Sequence, residues 1–233
     1  MNDFHKQFVV PDNIKFSVVK AFFTNRHTQN QIKPFIKQMG YEQTEVFMPA
    51  QRHTATAYLL EKPFPSGSEV VADAVITVQK NIFIGVAVAD CVPILLYDAQ
   101  TKAIGAVHAG WRGTADGILL NTLTLMERHF QTNPAQVHMA IGPCIQRCCY
   151  QVGSEAAEKV TSTTGQGAYI EERKDGLYLD LKAANRLQAE SFGLTNIWVS
   201  DKCTFCSSTE LFSYRREGKN AGRQGGFIGI VTN

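Results

Sequence analysis

The sequence predicts an α+β fold: a mixed β-sheet or β-sandwich core flanked by helices, in a single domain over residues 1–233. Three observations carry that expectation. Apolar runs of strand length crowd the middle of the chain. Helical patterns with capping signals lie among them, without strict βαβ alternation. The 233 residues are 44% apolar and 19% charged, an ordinary globular composition long enough to bury a large core. That composition excludes a disordered chain, a coiled coil and a collagen-like repeat.

Taken in order, residues 1–11 mix charge with short apolar stretches and lack the apolar region of a signal peptide. Residues 62–68, Lys-Pro-Phe-Pro-Ser-Gly-Ser, are the densest loop signal and too short to divide the chain. Runs at 70–78 and 82–89, rich in Val and Ile, and at 93–97 read as strands. Shorter runs at 103–107, 137–141, 197–199 and 227–231 follow. Near-continuous apolar runs suggest strands covered on both faces. Thr114 is placed to cap a helix whose apolar positions include Ile118, Leu119, Leu123 and Met126. Ser154 is placed to cap a helix over 155–160. Leu181–Phe192 reads as a helix closed by Gly193 just past its C-cap.

Charge narrows the partners. With 23 basic and 21 acidic residues the net charge is +2. So even a balance leaves no electrostatic footprint for nucleic acid or an anionic membrane. No apolar run reaches the length of a membrane span. The chain has six cysteines, and without a secretory signal they are expected to be reduced thiols in the cytoplasm.

Three residues stand out as a chemical constellation: His53, Cys91 and His108. Cys91 and His108 each follow an apolar strand, where α/β proteins tend to place ligand sites. Imidazole and thiolate are the donors Zn²⁺ prefers. Two His and one Cys leave a tetrahedral position open, which suits catalysis. Zinc there would acidify water and polarise a substrate group. Taken singly, each residue fits packing as well, since a lone Cys is commonly a small buried hydrophobe. After His108, Gly110 and Gly113 bracket Trp111 and Arg112 between a strand and a helix. Glycine there permits torsions other residues resist, and the helix N-terminus with Arg112 suits an anion. Ser213-Tyr214-Arg215-Arg216 and Gly222-Arg223 form the one basic cluster. Cys203-Thr204-Phe205-Cys206 is a lone CxxC, weak as a zinc or redox motif by itself. Cys144, Cys148 and Cys149 are expected to be packing residues.

In order along the chain come Ala72-Asp73-Ala74, Ala89-Asp90-Cys91-Val92-Pro93, His108-Ala109-Gly110-Trp111-Arg112-Gly113 and Ile141-Gly142-Pro143-Cys144-Ile145. Cys149-Tyr150-Gln151-Val152-Gly153, Asp180-Leu181, Asn185, Cys203-Thr204 and Phe212-Ser213-Tyr214-Arg215-Arg216 follow. Together these blocks resemble the laccase-domain family, also called the multicopper polyphenol oxidoreductase family. Its members are described as purine nucleoside phosphorylases with adenosine deaminase activity, and one branch as a peptidoglycan editing factor. The resemblance implies a β-rich core flanked by helices and a metal held by His53, Cys91 and His108. Thr54 stands where the family usually has glycine after the first histidine, and Gln151 where a glutamate is common.

The resemblance further implies zinc-dependent phosphorolysis of adenosine, inosine or methylthioadenosine, with a purine nucleoside and phosphate as the small-molecule partners. Cys91, His108 and Asp90 are then catalytic candidates. Asp90 and Asp73 are the acids placed to handle a proton or to orient a metal ligand. Arg26, Arg112, Arg215 and Arg216 are candidate phosphate and ribose contacts. Because adjacent residues of an extended segment point apart, only one of Arg215 and Arg216 is expected to reach phosphate. A metal-free cysteine hydrolase with Cys91 as nucleophile and His108 as base is the alternative, one that has no use for His53. Copper-dependent phenol oxidation ranks lower, because several copper ions need many histidines and the chain has six.

Overall fold

Side-chain alternation along the strands decides which layer each face meets. The computed structural model describes residues 8–28, 31–41, 44–62 and 65–232. Residues 1–7 and, from the expected loop, Pro63 and Phe64 lie outside the described residues. The strands are β1 (Phe8–Val9), β2 (Val19–Thr24), β3 (Glu45–Phe47), β4 (Ala57–Leu59), β5 (Ala74–Thr77), β6 (Ile82–Val88), β7 (Val92–Asp98), β8 (Ile104–Ala109), β9 (Val137–Ile141), β10 (Gln151–Val152), β11 (Ile170–Arg173), β12 (Gly176–Leu179), β13 (Asn196–Val199) and β14 (Gln224–Ile230). The α-helices are α1 (Ile32–Gln38), α2 (Trp111–Ala115), α3 (Ile118–Phe130), α4 (Ser154–Thr164), α5 (Leu181–Phe192) and α6 (Tyr214–Glu217).

Two mixed sheets face each other. One has five strands in the order β1-β2-β14-β6-β3, the other six in the order β13-β9-β7-β8-β5-β4. Between them lie Val19, Ala21 and Phe23 of β2, Ile82, Ile84 and Val86 of β6, Leu95 and Tyr97 of β7, and Ile104 and Ala106 of β8. The residues between those positions point the other way. Phe22, Phe83 and Phe227 meet Phe35 and Ile36 of α1. Val92, Ile94, Leu96 and Val107 meet Ile118, Leu119, Leu123 and Met126 of α3 and Ala184 and Ala189 of α5. The layers therefore run helix, sheet, sheet, helices, and strands covered on both faces read as continuous apolar runs. A small third sheet, β10-β12-β11, packs against the helical-side core through Leu179, Val152 and Ile170.

The expected α+β sandwich is present, with local differences. The run at 70–78 is a strand only over Ala74–Thr77; Val71 makes an isolated bridge to Ala50. Thr114 does not cap α3. It lies inside α2, and Gly117, left-handed at φ 73°, breaks the helix before Ile118. Ser154 is the first residue of α4 rather than its cap, which is Gly153. In α5 the Asp180 side chain accepts from the Ala183 N–H, and Gly193 at φ 104° ends the helix. Strand β2 and helix α1 had no counterpart in the sequence reading. No helix among the described residues is long and apolar enough to cross a membrane.

Register brings the chemistry together. Strands β6 and β7 belong to different sheets, so the turn 89–91 between them crosses the open end of the sandwich. Beside β7, the antiparallel β8 places His108 opposite Pro93. Beside β8, β5 pairs Ala74 with Val107, so Asp73 adjoins His108. Packing between the sheets is expected to dominate stability. Leu95 is fully buried there, and Leu95→Ala should destabilise the chain by about 2–5 kcal/mol in chemical denaturation. A loss below about 1 kcal/mol would contradict this packing.

Candidate metal centre and its cleft

A buried carboxylate organises the site. Asp73 is fully buried. Its Oδ1 lies 2.7 Å from His108 Nδ1 and accepts from the His53 N–H at 3.0 Å. Its Oδ2 accepts from Arg52 N at 3.1 Å, Thr54 N at 2.7 Å and Thr54 Oγ1 at 2.8 Å. The loop that carries His53 is thereby bound to the strand end that carries His108. His53 itself is held at φ 59°, a left-handed conformation that costs a non-glycine residue energy unless its surroundings fix it. Thr54, where the family usually has glycine, contributes a hydroxyl donor to this cluster. Gln51 completes the anchoring: its side chain donates to Ala87 O and accepts from Ala87 N, each at 2.8 Å.

The ligand atoms of His53, Cys91 and His108 all lie within 4.8 Å of one another. Cys91 Sγ is 3.8 Å from His53 Nε2. Because Nδ1 of His108 is engaged by Asp73, its Nε2 is the nitrogen left for a metal, as in carboxylate–histidine–metal arrangements. Two imidazoles and one thiolate at these separations fit a tetrahedral ion with an open fourth position. Gly110 makes this approach possible through size rather than torsion. Its φ is an ordinary −75°, but a Cβ there would lie 3.0 Å from the His53 ring and 3.1 Å from Cys91 Sγ. The expected glycine-bracketed turn is likewise revised, because α2 begins at Trp111 and Gly113 lies within it.

Electrostatics prepare the donors. Burial would raise the Cys91 thiol, but hydrogen bonds and charge from His108 and His53 outweigh it and bring the thiol down to about 6. Burial works against a charged His108, yet its hydrogen bonds to Asp73 and Cys91 raise it to about 9. Burial would raise Asp73 too, but His108, Thr54 and Arg52 hold its carboxyl far below the usual range. Without metal, Cys91 and His108 thus form a thiolate–imidazolium pair at neutral pH.

This centre lies at the floor of a cleft of about 670 Å³, within the roughly 300–1,000 Å³ typical of small-molecule sites. Of the arginines singled out in the sequence, Arg112 and Arg215 line it, and Arg26 and Arg216 do not. Arg112 stacks on Trp111 at 4.4 Å. Arg215 donates to the Gln151 carbonyl at 2.9 Å. Arg216 instead donates to the carbonyls of Thr204 and Leu211, at 2.8 and 2.6 Å. Arg26 pairs with Glu217 at 2.6 Å and covers the Phe212 ring. Asp90, left-handed at φ 86°, accepts from Thr204 Oγ1 and from Arg215 N, both at 2.6 Å. Both its oxygens therefore tie the C-terminal segment to the cleft.

Sequence reasoning had not assigned Gln51, Tyr150, Tyr214 or Arg223 to the site, and all four line the cleft. Their signal was adjacency, since each sits in or beside a motif block already singled out. Burial and the neighbouring Cys91 push the Tyr150 phenol well above its usual range, which keeps it a proton-bearing donor. The expectation that Cys148 and Cys149 only pack is also revised. They meet Cys203 and Cys206, and these four sulfurs also lie within 4.8 Å of one another.

The two-sheet sandwich carries a candidate His-Cys-His metal centre in a cleft that three arginines line. The family described as multi-copper polyphenol oxidoreductase laccase matches residues 24–231, and the chain belongs to it. The chain is 42% identical over 159 residues to a purine nucleoside phosphorylase of Clostridium acetobutylicum, covering 67% of this chain and 66% of that one. It is 34% identical over 205 residues to adenosine deaminase RL5 of an unknown prokaryotic organism, covering 83% and 77%. The solved structure of YlmD from Geobacillus stearothermophilus matches with a TM-score of 0.86 at 28% identity, covering 93% of both chains.

Two outcomes follow from this geometry. In metal-free protein, alkylation of Cys91 followed peptide by peptide should rise with pH to a plateau with its midpoint near 6, because the lowered pKa keeps the thiolate present above that pH. A midpoint at the ordinary ~8.5 would refute the pairing with His108 and His53. Asp73→Asn should weaken metal affinity by roughly 10–100-fold, measured by competition with a chromogenic chelator. Unchanged affinity would show that His108 is oriented by something else.

Proposed function

We propose that the chain is a zinc-dependent purine nucleoside phosphorylase acting on adenosine and inosine, with adenosine deaminase activity at the same centre. The observation that carries this reading is an open His53-Cys91-His108 set on the floor of a cleft rimmed by Arg112, Arg215 and Arg223. In phosphorolysis a phosphate oxygen bonds to the ribose anomeric carbon, the carbon–nitrogen bond breaks, and the purine leaves with the electron pair and gains a proton. In deamination a water oxygen bonds to the purine carbon bearing the amino group, and ammonia leaves.

The chain's own residues divide these tasks. Arginine suits phosphate because its planar guanidinium donates parallel hydrogen bonds to an oxyanion. Arg215 is held near the centre by the Gln151 carbonyl, and its backbone by Asp90. Tyr150 supplies a neutral hydroxyl donor. Asp73 positions His108 rather than touching substrate. Zinc, when bound, supplies Lewis acidity that polarises a substrate group. All six cysteines are free thiols, in keeping with our placement of the reaction in the cytoplasm. Copper chemistry of the multicentre kind has little support in the ligands. Among the described residues, His53 and His108 are the only histidines in a metal-competent cluster.

A second reading has one observation in its favour. Asp73, His108 and Cys91 form a relay with a low-pKa thiol, which is also the arrangement of a metal-free cysteine hydrolase. That chemistry gives His53 no task. The deciding experiment follows phosphate-dependent cleavage of inosine beside deamination of adenosine. His53→Ala should lose metal and both activities. Wild-type turnover in that variant would refute the three-ligand metal site. Hydrogen bonds to charged groups are worth about 1.5–3 kcal/mol. Arg215→Ala should therefore slow phosphorolysis at least roughly tenfold while sparing deamination, and Arg216→Ala should leave the ratio of the two unchanged. Equal loss of both activities in Arg215→Ala would refute its assignment to phosphate.

A further inference from the structure

The second cysteine cluster has no part in the cleft chemistry. Cys148 and Cys149 lie in a turn where the N–H groups of Cys149 and Tyr150 return to the Gln146 carbonyl, at 2.9 and 3.0 Å. Cys203 and Cys206 lie in another, closed by Ser207 N–H to the Cys203 carbonyl at 2.9 Å. These turns are far apart in sequence and meet through a bridge between Cys144 and Cys203.

The sulfur geometry is specific. Cys148 Sγ is 3.7 Å from Cys203 Sγ and 3.8 Å from Cys206 Sγ. Cys149 Sγ is 3.5 Å from Cys148 Sγ and 3.4 Å from Cys206 Sγ. Four sulfurs around an ion at ~2.3 Å form a tetrahedron with an edge of about 3.8 Å. Cys203 is buried, whereas Cys148 and Cys206 are exposed. Backbone N–H groups of Cys206 and Gln146 donate to the Cys203 sulfur. The CxxC pair that is weak alone is thus completed by the vicinal pair from another turn.

We propose that Cys148, Cys149, Cys203 and Cys206 bind a second zinc ion, tetrahedral and structural, separate from the His53-Cys91-His108 centre. Four protein thiolates fill its coordination and leave no open position, so the site staples rather than catalyses. What it staples matters to the cleft. The first turn leads into Tyr150 of the cleft wall. The second carries Thr204, which holds Asp90, and receives Arg216 from the segment that presents Arg215. Metal ligation releases the thiol protons to solvent and changes no oxidation state.

The test uses full-length protein purified under reducing conditions without added metal. Elemental analysis should find two zinc ions per wild-type chain. The His53→Ala, Cys91→Ser double variant should keep one, and Co²⁺ exchanged into it should give the intense thiolate charge-transfer and visible bands of a tetrahedral sulfur site. Cys206 is exposed and suited to substitution. Cys206→Ser should lower the count by one in the wild-type background. Cys206→His should retain it, because histidine can replace one thiolate ligand. The proposal is overturned if the double variant holds no zinc, if Cys206→Ser leaves the wild-type count unchanged, or if intact mass shows disulfides among the four cysteines.

Discussion

A fully buried carboxylate without partners would be expelled or protonated. Asp73 avoids both outcomes because Arg52, His53 and Thr54 donate to it and His108 stands against it. Each donor lies on a segment that must be in register for the site to exist. The loop 52–54 donates three backbone hydrogen bonds to this one carboxylate, and they help hold the left-handed backbone of His53. His108 would have two equivalent nitrogens. The same carboxylate thus fixes a loop, a ring orientation and a charge state. With each bond to a charged group worth about 1.5–3 kcal/mol, losing the hub would displace both histidines together.

Around that hub the sandwich supplies geometry and the rim supplies charge. The chain crosses between sheets at 89–91, and the positive φ of Asp90 turns it so that Cys91 enters the floor of the cleft. Arg112, Arg215 and Arg223 line the same cleft and bring positive charge to it. Thr204 Oγ1 and the Arg215 N–H both donate to the Asp90 carboxylate. Those two bonds hold the arginine-bearing segment against the cleft.

The thiols divide into three environments. Cys91 is lowered by two imidazoles. Cys144 sits in the apolar core, where burial keeps it a thiol. The remaining four gather at the junction of two turns. One residue type therefore occupies the cleft, the apolar core and a four-sulfur junction, and only its neighbours distinguish these environments.

Much of this was legible in the sequence for a simple reason. A strand buried on both faces must be apolar throughout, so β6, β7, β9 and β14 announced themselves, and Gly193 marked the end of α5 because a left-handed cap favours glycine. Cys91 and His108 were legible as donors of the right chemistry beside apolar strands, and His53 as a third donor of the same kind. Thr114 and Ser154 misled because a hydroxyl suits a cap, the middle of a turn or a first helical position alike. Which of Arg215 and Arg216 lines the cleft, the hydrogen bonds gathered by Asp73, the space required at Gly110 and the meeting of Cys148 and Cys149 with Cys203 and Cys206 became visible only in three dimensions. Local pattern determines what each segment becomes, because propensity and periodicity act over a few residues. Which distant side chains share one ion or one proton depends on strand register and sheet crossing, and those are set by the packing of the whole sandwich.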